Sequence, residues 1–534
     1  MSTADSLADT TDPGITPNAK RLLWAGFMAI LAAGVGFSVR AGILGQWAEQ
    51  FGFTMTELGT ITGGGLTGFG IVIIVTSLFA DKIGYGKLMV AAFVLHFISA
   101  VVTLAAPAAF ASGGKDAAYT CLFWGMFIFA VGNGVCEAVV NPLVATLFPR
   151  NKTHYLNVLH AGWPAGLVVG GLASTFMAAK TDTVGQVLSP AVDWKIQMSL
   201  FLVPVIIYGV MLLGQRFPRS EVASAGVTIG HMLKSVLVPL FIVLLVLHAL
   251  VGYVELGTDS WIAKITGTIM ASPANGLKLF VYTSLLMFAL RFVAGPIVHR
   301  ISPLGLLFVS GVLGAIGLTM LGNAVSVIGC VIAATVYAMG KTFLWPTMLA
   351  VASERFPRGG AVAIGLMGGV GMLSAGLLGG PAIGYKQDYY ASRQLQEAAP
   401  ETYSRYASAE PKGFLVLPKI KGLDGSKVGV LSDGGKELGN VTAALAKEGK
   451  TDTNHQALTA WWDTAQPSVK QDADPVTAAN LYGGRMALKV TAIIPAIMAI
   501  GYLLLLLYFK AIGGYKALHI TGEEASGGIE GPVR

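Results

Sequence analysis

Asn133, Glu137 and Asn141 stand four residues apart in the apolar run GNGVCEAVVNP, residues 132–142. On a helix that spacing puts all three side chains on one face. An aspartate at the centre of a bilayer costs about 2.5–3.5 kcal/mol on insertion scales, and a glutamate faces the same desolvation. A chain that keeps such a group either hydrogen-bonds it inside a helix bundle or turns it to a cavity, where it handles protons or a polar ligand. Burial disfavours the charged form of a carboxyl, so Glu137 is expected to take up a proton on one side of a membrane and release it on the other. Asn133 and Asn141 can hydrogen-bond it in either protonation state. A cation beside it, such as Arg40, would hold it charged, and movement of that cation would drive release.

A second group of polar residues lies in other apolar stretches. His248, Glu255 and Asp259 are spaced by seven and four and so share a helix face. Glu255 is the second candidate for proton coupling; Asp259 is close enough to the end of its segment to be interfacial. Tyr337, Lys341 and Trp345 step by four along another face, followed by Pro346 and Thr347. Arg40 falls in the outer part of the first apolar segment and Arg291 in the eighth. These three cations are expected either to pair with Glu137 and Glu255 or to await an anionic ligand. Arg40 and Lys341 are both expected to face a central cavity. Lys341 is too deep to snorkel to the surface, so lipid exposure would be costly.

The elements that position these residues follow from composition. With 534 residues, 54% apolar and only 12% charged, and a mean hydropathy of +0.66, the chain reads as an all-α polytopic membrane protein. Apolar stretches long enough to span a bilayer number twelve: 22–45, 58–80, 88–110, 118–147, 155–179, 196–214, 236–258, 277–298, 304–322, 325–350, 360–384 and 486–509. An even number puts both termini on one side. Fifteen Lys and Arg residues, Lys20, Arg21, Lys82, Lys87 and Arg150 among them, fall on the side of the termini. Five (Lys115, Lys180, Lys195, Lys264 and Lys278) fall on the other. That bias makes both termini cytoplasmic in a cell membrane. The acidic first residues (Asp5, Asp9, Asp12) lack the basic start of a cleavable signal peptide, so an uncleaved first anchor is expected.

Features recur between the two halves at a near-constant offset: Trp47 and Trp261, Asn141-Pro142 and Trp345-Pro346, Phe148-Pro149-Arg150 and Phe356-Pro357-Arg358. The organisation read from this is a tail over 1–21, a six-helix bundle over 22–214, a linker over 215–235, a second bundle over 236–509 and a tail over 510–534. The second bundle carries a polar insertion at 386–485, on the outer face, whose twelve basic and twelve acidic residues cancel. Its composition is that of a loose loop; Trp461 and Trp462 beside Leu458 mark an amphipathic piece that would cap the bundle.

Several motifs carry a family resemblance. The run Gly132–Leu143, the following Phe148-Pro149-Arg150, then Leu156-Asn157 and a Gly-rich helix resemble the fourth and fifth helices of the fucose/glucose/galactose:proton symporters of the major facilitator superfamily. Gly252 through Trp261 resembles their seventh helix, and Trp345-Pro346-Thr347 matches an aromatic-Pro-Thr in their tenth; Lys341 lies outside that pattern. Ser77–Lys87 resembles the superfamily loop G-x-x-x-D-R-x-G-R-R/K, with Asp81, Lys82, Gly84 and Lys87 fitting. Ser77 replaces the first glycine, and Tyr85 and Gly86 replace basic residues. The resemblance implies twelve helices in two pseudo-symmetric bundles and a solute site between them. It also implies that the Asp81 loop latches the halves together when the molecule faces outward.

The expected function is secondary, proton-coupled symport of a monosaccharide or similar small polar solute by alternating access. Aromatic rings stack on the C–H faces of a sugar while carboxamides and imidazoles meet its hydroxyls. The expected contacts are Arg40, Asn133, Asn141, Asn157, His160, Tyr337, Lys341 and Trp345. For each aromatic the plainer reading is packing or a lipid interface, and for His160 a helix–helix hydrogen bond. Carriage of an organic anion such as a sugar acid, drawn by the buried cations, is the alternative; a transporter-like receptor using the insertion is another. No P-loop motif and no converging catalytic or metal-binding set is present, so neither an enzyme nor a cofactor is expected. Cys121, Cys136 and Cys330 lie in apolar segments without metal spacing. The net charge of +7 reflects helix ends rather than an aromatic-laced basic patch, which excludes nucleic acid. The partners expected are the solute, protons and lipid, with the chain a monomer.

Overall fold

The computed structural model describes residues 14–53, 55–63, 65–178, 180–181, 187–448, 451, 453–518, 520 and 529–532. Among the described residues twelve helices are long and apolar enough to cross a membrane, one for each apolar stretch of the sequence. They are α1 Ala19–Arg40, α2 Thr60–Ile83, α3 Tyr85–Leu104, α4 Ala106–Leu147, α5 Lys152–Met177, α6 Trp194–Leu212, α7 Pro239–Ile269, α8 Pro273–Arg291, α9 Ala294–Asn323, α10 Val327–Arg355, α11 Pro357–Ala398 and α12 Thr453–Ala511. Their outward faces are apolar: Ile71, Val75, Val101, Trp124, Val246, Ile332 and Leu504 are exposed, which suits lipid and not water. Two short antiparallel strand pairs supplement the helices, Lys180–Thr181 with Val187–Ser189 and Arg216–Pro218 with Ile529–Pro532.

Small residues set how closely the helices approach. In the first half α1 meets α5 at Gly34 and Gly166, where a methyl on Gly166 would lie 2.4 Å from the Leu31 carbonyl oxygen. In the second half α7 meets α11 in the same way, and a methyl on Gly252 would lie 1.9 Å from the Gly371 carbonyl oxygen. The first and fifth helices of each half therefore use one packing device, as expected of related halves. Between halves, α2 packs along α11: a methyl on Gly365 would strike Ser77 Oγ at 1.8 Å, and Gly70 sits against the Gly369 carbonyl.

The insertion at 386–485 has more structure than its composition indicates. α11 continues as a helix to Ala398, and the stem Val469–Thr491 leads back into the apolar run Ile493–Ala511. At 42 residues α11 is about 63 Å long, twice the roughly 30 Å of hydrocarbon. Between these stems the short helices Pro400–Tyr406 and Gly425–Asp433, with the first segment of α12, Thr453–Ala465, enclose a core of Leu395, Tyr406, Leu431, Val476 and Ala479. Asp472 is fully buried and ties the core together, accepting from Thr402 Oγ1 at 2.7 Å and from Arg405 Nε at 2.9 Å. Burial, with the Asp472 charge nearby, pushes the Tyr406 phenol up to about 12. Trp462 packs on Val430, Leu438 and Ala465 inside the insertion. It thus serves the insertion's own core instead of covering the bundle.

The close approach at Gly252 gives a direct test. Gly252→Ala should force α7 from α11 and cost about 1–3 kcal/mol, lowering the unfolding midpoint in detergent. Gly45→Ala, in a helix position with open space around it, should leave the midpoint unchanged or raise it. Equal midpoints for the two variants would contradict the packing described.

Candidate functional site

Six charged side chains lie in the middle of the bundle: Arg40, Glu137, Glu255, Asp259, Arg291 and Lys341. Four of them cancel in pairs. Arg291 Nη2 meets Glu255 Oε1 at 3.0 Å, with both residues almost fully buried. The same guanidinium donates from Nε to the Thr342 carbonyl at 3.0 Å and from Nη1 to the His160 carbonyl. One side chain thus links α8 to α7, α10 and α5. Lys341 pairs with Asp259 across α10 and α7 and is 1% exposed. It faces the interior, as its depth requires, but its charge is spent on Asp259 and not on an open cavity.

Glu137 is 9% exposed and has no ion pair among the described residues. Asn141 Nδ2 donates to its Oε2 at 2.7 Å and to its backbone carbonyl at 2.9 Å. Asn141 Oδ1 in turn accepts from His160 Nε2 at 2.8 Å. His160 presents its carbonyl to Arg291, so a continuous polar chain runs from Glu137 across to Glu255 in the other half. One turn away on α4, Asn133 Oδ1 accepts from His96 Nε2 at 2.9 Å, and His96 Nδ1 accepts from Tyr208 at 2.8 Å. A neutral imidazole satisfies both contacts.

A cavity of about 300 Å³ opens in the half of the bundle away from the termini, lined by Phe37, Arg40, Phe129, Asn133, Trp163 and Ser260 among others. The first five come from the first half of the chain and Ser260 from α7. Arg40 lies over the Phe129 ring at 4.5 Å, donates to the Gly36 carbonyl at 2.8 Å and approaches Met126 Sδ at 3.4 Å. Met126 and Phe129 precede Glu137 by eleven and eight residues, about 12–16 Å along a helix. Arg40 therefore does not sit beside Glu137, contrary to the expectation from sequence.

Of the expected solute contacts, Arg40 and Asn133 line the cavity. The others form closed contacts outside the cavity, those of Asn157 on the side of the termini. Tyr337 donates to the Val254 carbonyl at 2.7 Å, Trp345 packs on His248 at 4.7 Å between ring centres, and Asn157 Nδ2 reaches Thr347 Oγ1 at 3.3 Å across the two halves. Thr153 donates to Glu354 at 2.9 Å, and Tyr515 from the C-terminal segment donates to the same carboxylate at 2.6 Å. Asp81 joins this seal: the Ala361 amide, in the first turn of Gly360–Ser374, donates to it at 3.0 Å and Tyr85 donates to it at 2.9 Å. A carboxylate there is favoured by the helix dipole. Gly360 allows the approach, since its φ is +49° and a methyl would lie 2.7 Å from Asp81 Oδ2. Gly84, with φ +96°, turns the chain into α3, while Lys82 and Lys87 are exposed.

Sequence reading missed His96, the aromatic wall of Phe37, Phe129 and Trp163, and the Thr153–Glu354 contact. A lone histidine between Leu95 and Phe97 in an apolar run was the available signal for the first. Nothing local marks the others.

The geometry matches known proteins. The sequence model of the Major Facilitator Superfamily matches residues 26–380. Twelve helices in two halves around a cavity are the plan of a membrane transporter, and the chain belongs to the major facilitator superfamily. Solved structures with this fold include a variant of the E. coli fucose:proton symporter FucP, with a TM-score of 0.56, 16% identity, and 70% of this chain and 93% of that one covered. The proton:xylose symporter XylE bound to 6-bromo-6-deoxy-D-glucose gives 0.56 and 14%, with 71% and 91% covered. The human organic anion transporter MFSD10 gives 0.53 and 13%, with 69% and 93% covered. At these identities the likeness is one of fold. No curated protein matches the chain.

Arg291→Gln should leave Glu255 buried without its cation and cost about 3–5 kcal/mol, as loss of one partner of a buried pair does. Arg40→Gln orphans no carboxylate and should cost much less. Thermal unfolding of both purified variants checks this; equal losses would contradict the pairing.

Proposed function

We propose that the protein moves a small hydroxylated solute across a cell membrane by alternating access, in symport with a proton carried on Glu137. The observation that supports this most directly is a buried carboxyl with no ion pair among the described residues, one turn below the cavity floor at Asn133. A carboxyl so placed can exchange a proton with water from the cavity. The Asn141–His160 chain then connects it to the sealed side. Phe37 and Trp163 offer faces to a ring, and Asn133, Thr62 and Ser260 offer hydrogen bonds. Two of the similar structures are those of sugar:proton symporters.

In this reading both termini are cytoplasmic, by the basic-residue bias, and the molecule works as a monomer. The cavity then opens outward and the contacts of Thr153, Asp81 and Asn157 close the cytoplasmic side. The Asp81 loop acts as the latch of that state. Glu255 is the second proton-coupling candidate, but its pairing with Arg291 gives it a structural task first.

Glu137→Gln keeps the shape and removes the titrating group. It should abolish accumulation driven by a pH gradient in proteoliposomes while counterflow exchange persists; accumulation by the Gln variant would place the proton route elsewhere. Asp81→Asn should slow counterflow and leave equilibrium solute binding unchanged. Weakened binding with normal exchange would remove Asp81 from the latch.

A further inference from the structure

Arg40 forms no ion pair among the described residues. Its guanidinium has five N–H donors; one is used by the Gly36 carbonyl and one by the thioether of Met126, a weak acceptor. The remaining three meet no protein acceptor among the described residues. Among the described residues no Asp or Glu lines the cavity that Arg40 faces. Phe129 beneath it supplies a cation–π contact at 4.5 Å, worth about 0.5–2 kcal/mol, and this does not replace an anion. The other two cations of the bundle centre are each neutralised by a carboxylate. The pairing available to Arg291 and Lys341 is thus withheld from Arg40, where the space is open instead of filled.

From this we infer that the solute is a carboxylate, a sugar acid and not a neutral sugar, and that Arg40 binds its carboxylate. The inference rests on the proposal that this cavity is the solute site. A guanidinium presents paired N–H groups that match the two oxygens of a carboxylate, whereas a sugar hydroxyl satisfies only one of them. Phe37 and Trp163 take the C–H face of the carbon chain, and Asn133 and Ser260 meet its hydroxyls. A cavity of about 300 Å³ holds a six-carbon acid. Charge also balances: one carboxylate entering with one proton on Glu137 moves no net charge, so transport is electroneutral.

The test measures equilibrium binding of D-glucuronate, its uncharged amide D-glucuronamide, D-gluconate and D-glucose to the purified protein. At least one acid should bind about tenfold or more tightly than glucose, as a charge-assisted hydrogen-bond pair warrants. For glucuronate, the amide should lose that advantage. Arg40→Gln should erase the difference and Arg40→Lys should keep part of it. The amide comparison uses the unaltered protein, so it decides the matter even where Arg40→Gln folds poorly. Glucose binding as well as the acids, no acid binding at all, or an acid preference that survives Arg40→Gln would each overturn the inference. Proton-driven accumulation of glucose without acid binding would leave symport through Glu137 standing and remove only the carboxylate. Acid binding with accumulation intact in Glu137→Gln would do the reverse.

Discussion

A charge in hydrocarbon must find a partner or a cavity, and this constraint arranges the centre of the molecule. Arg291 meets it by binding Glu255 and two backbone carbonyls, which fastens α8 to α7, α10 and α5. Lys341 meets it through Asp259, which fastens α10 to α7. These pairs make a rigid frame in the second half. Among the described residues Glu137 and Arg40 form no ion pair, and both stand on first-half helices that border the cavity or lie one turn below it.

The sealed side shows how such a molecule can alternate. Its cross-half contacts are hydrogen bonds of neutral or singly charged groups: Asn157 with Thr347, Thr153 with Glu354, Asp81 with the Ala361 amide. Water can replace each of these at small net cost, because a typical hydrogen bond contributes only about 0.5–1.5 kcal/mol net. The α2–α11 contact is lined by Gly70, Gly365 and Gly369, which receive the side chains of Leu373, Ser77 and Ile74. A rocking motion about this contact would keep both buried ion pairs within one half, while the bond from Arg291 to the His160 carbonyl crosses between the halves. The C-terminal segment adds to the seal, with Tyr515 on Glu354 and the Leu518 amide on the Glu354 carbonyl.

Much of the fold was legible because the bilayer imposes its length on every helix: the twelve apolar stretches became twelve helices. The i, i+4 spacing of Asn133, Glu137 and Asn141 was legible for the same local reason. Partners far apart in sequence were not. Lys341 and Asp259 are 82 residues apart, and Thr153 and Glu354 are 201 apart; no periodicity marks either contact. Asp259 reads as interfacial by its position along the sequence, yet the π-helical turn at Tyr253–Gly257 and the depth of α7 bring it to Lys341. The insertion reads as loop by composition, because a core of about five residues closed around one buried aspartate leaves little trace in average hydropathy. Tyr337 and Trp345 have the residue types of a sugar site, but their neighbours across α7 and α11 make them packing groups in this conformation.

The unpaired carboxyl of Glu137 is best judged by following protons while solute moves. The protein is reconstituted in proteoliposomes holding a trapped pH indicator, with no imposed gradient, and the solute that binds the purified protein is added outside. Solute entry should acidify the interior, in proportion to the solute taken up and without a change in membrane potential when that solute is a carboxylate. Entry of the same solute at the same rate with the interior pH unchanged would contradict a proton carried on Glu137.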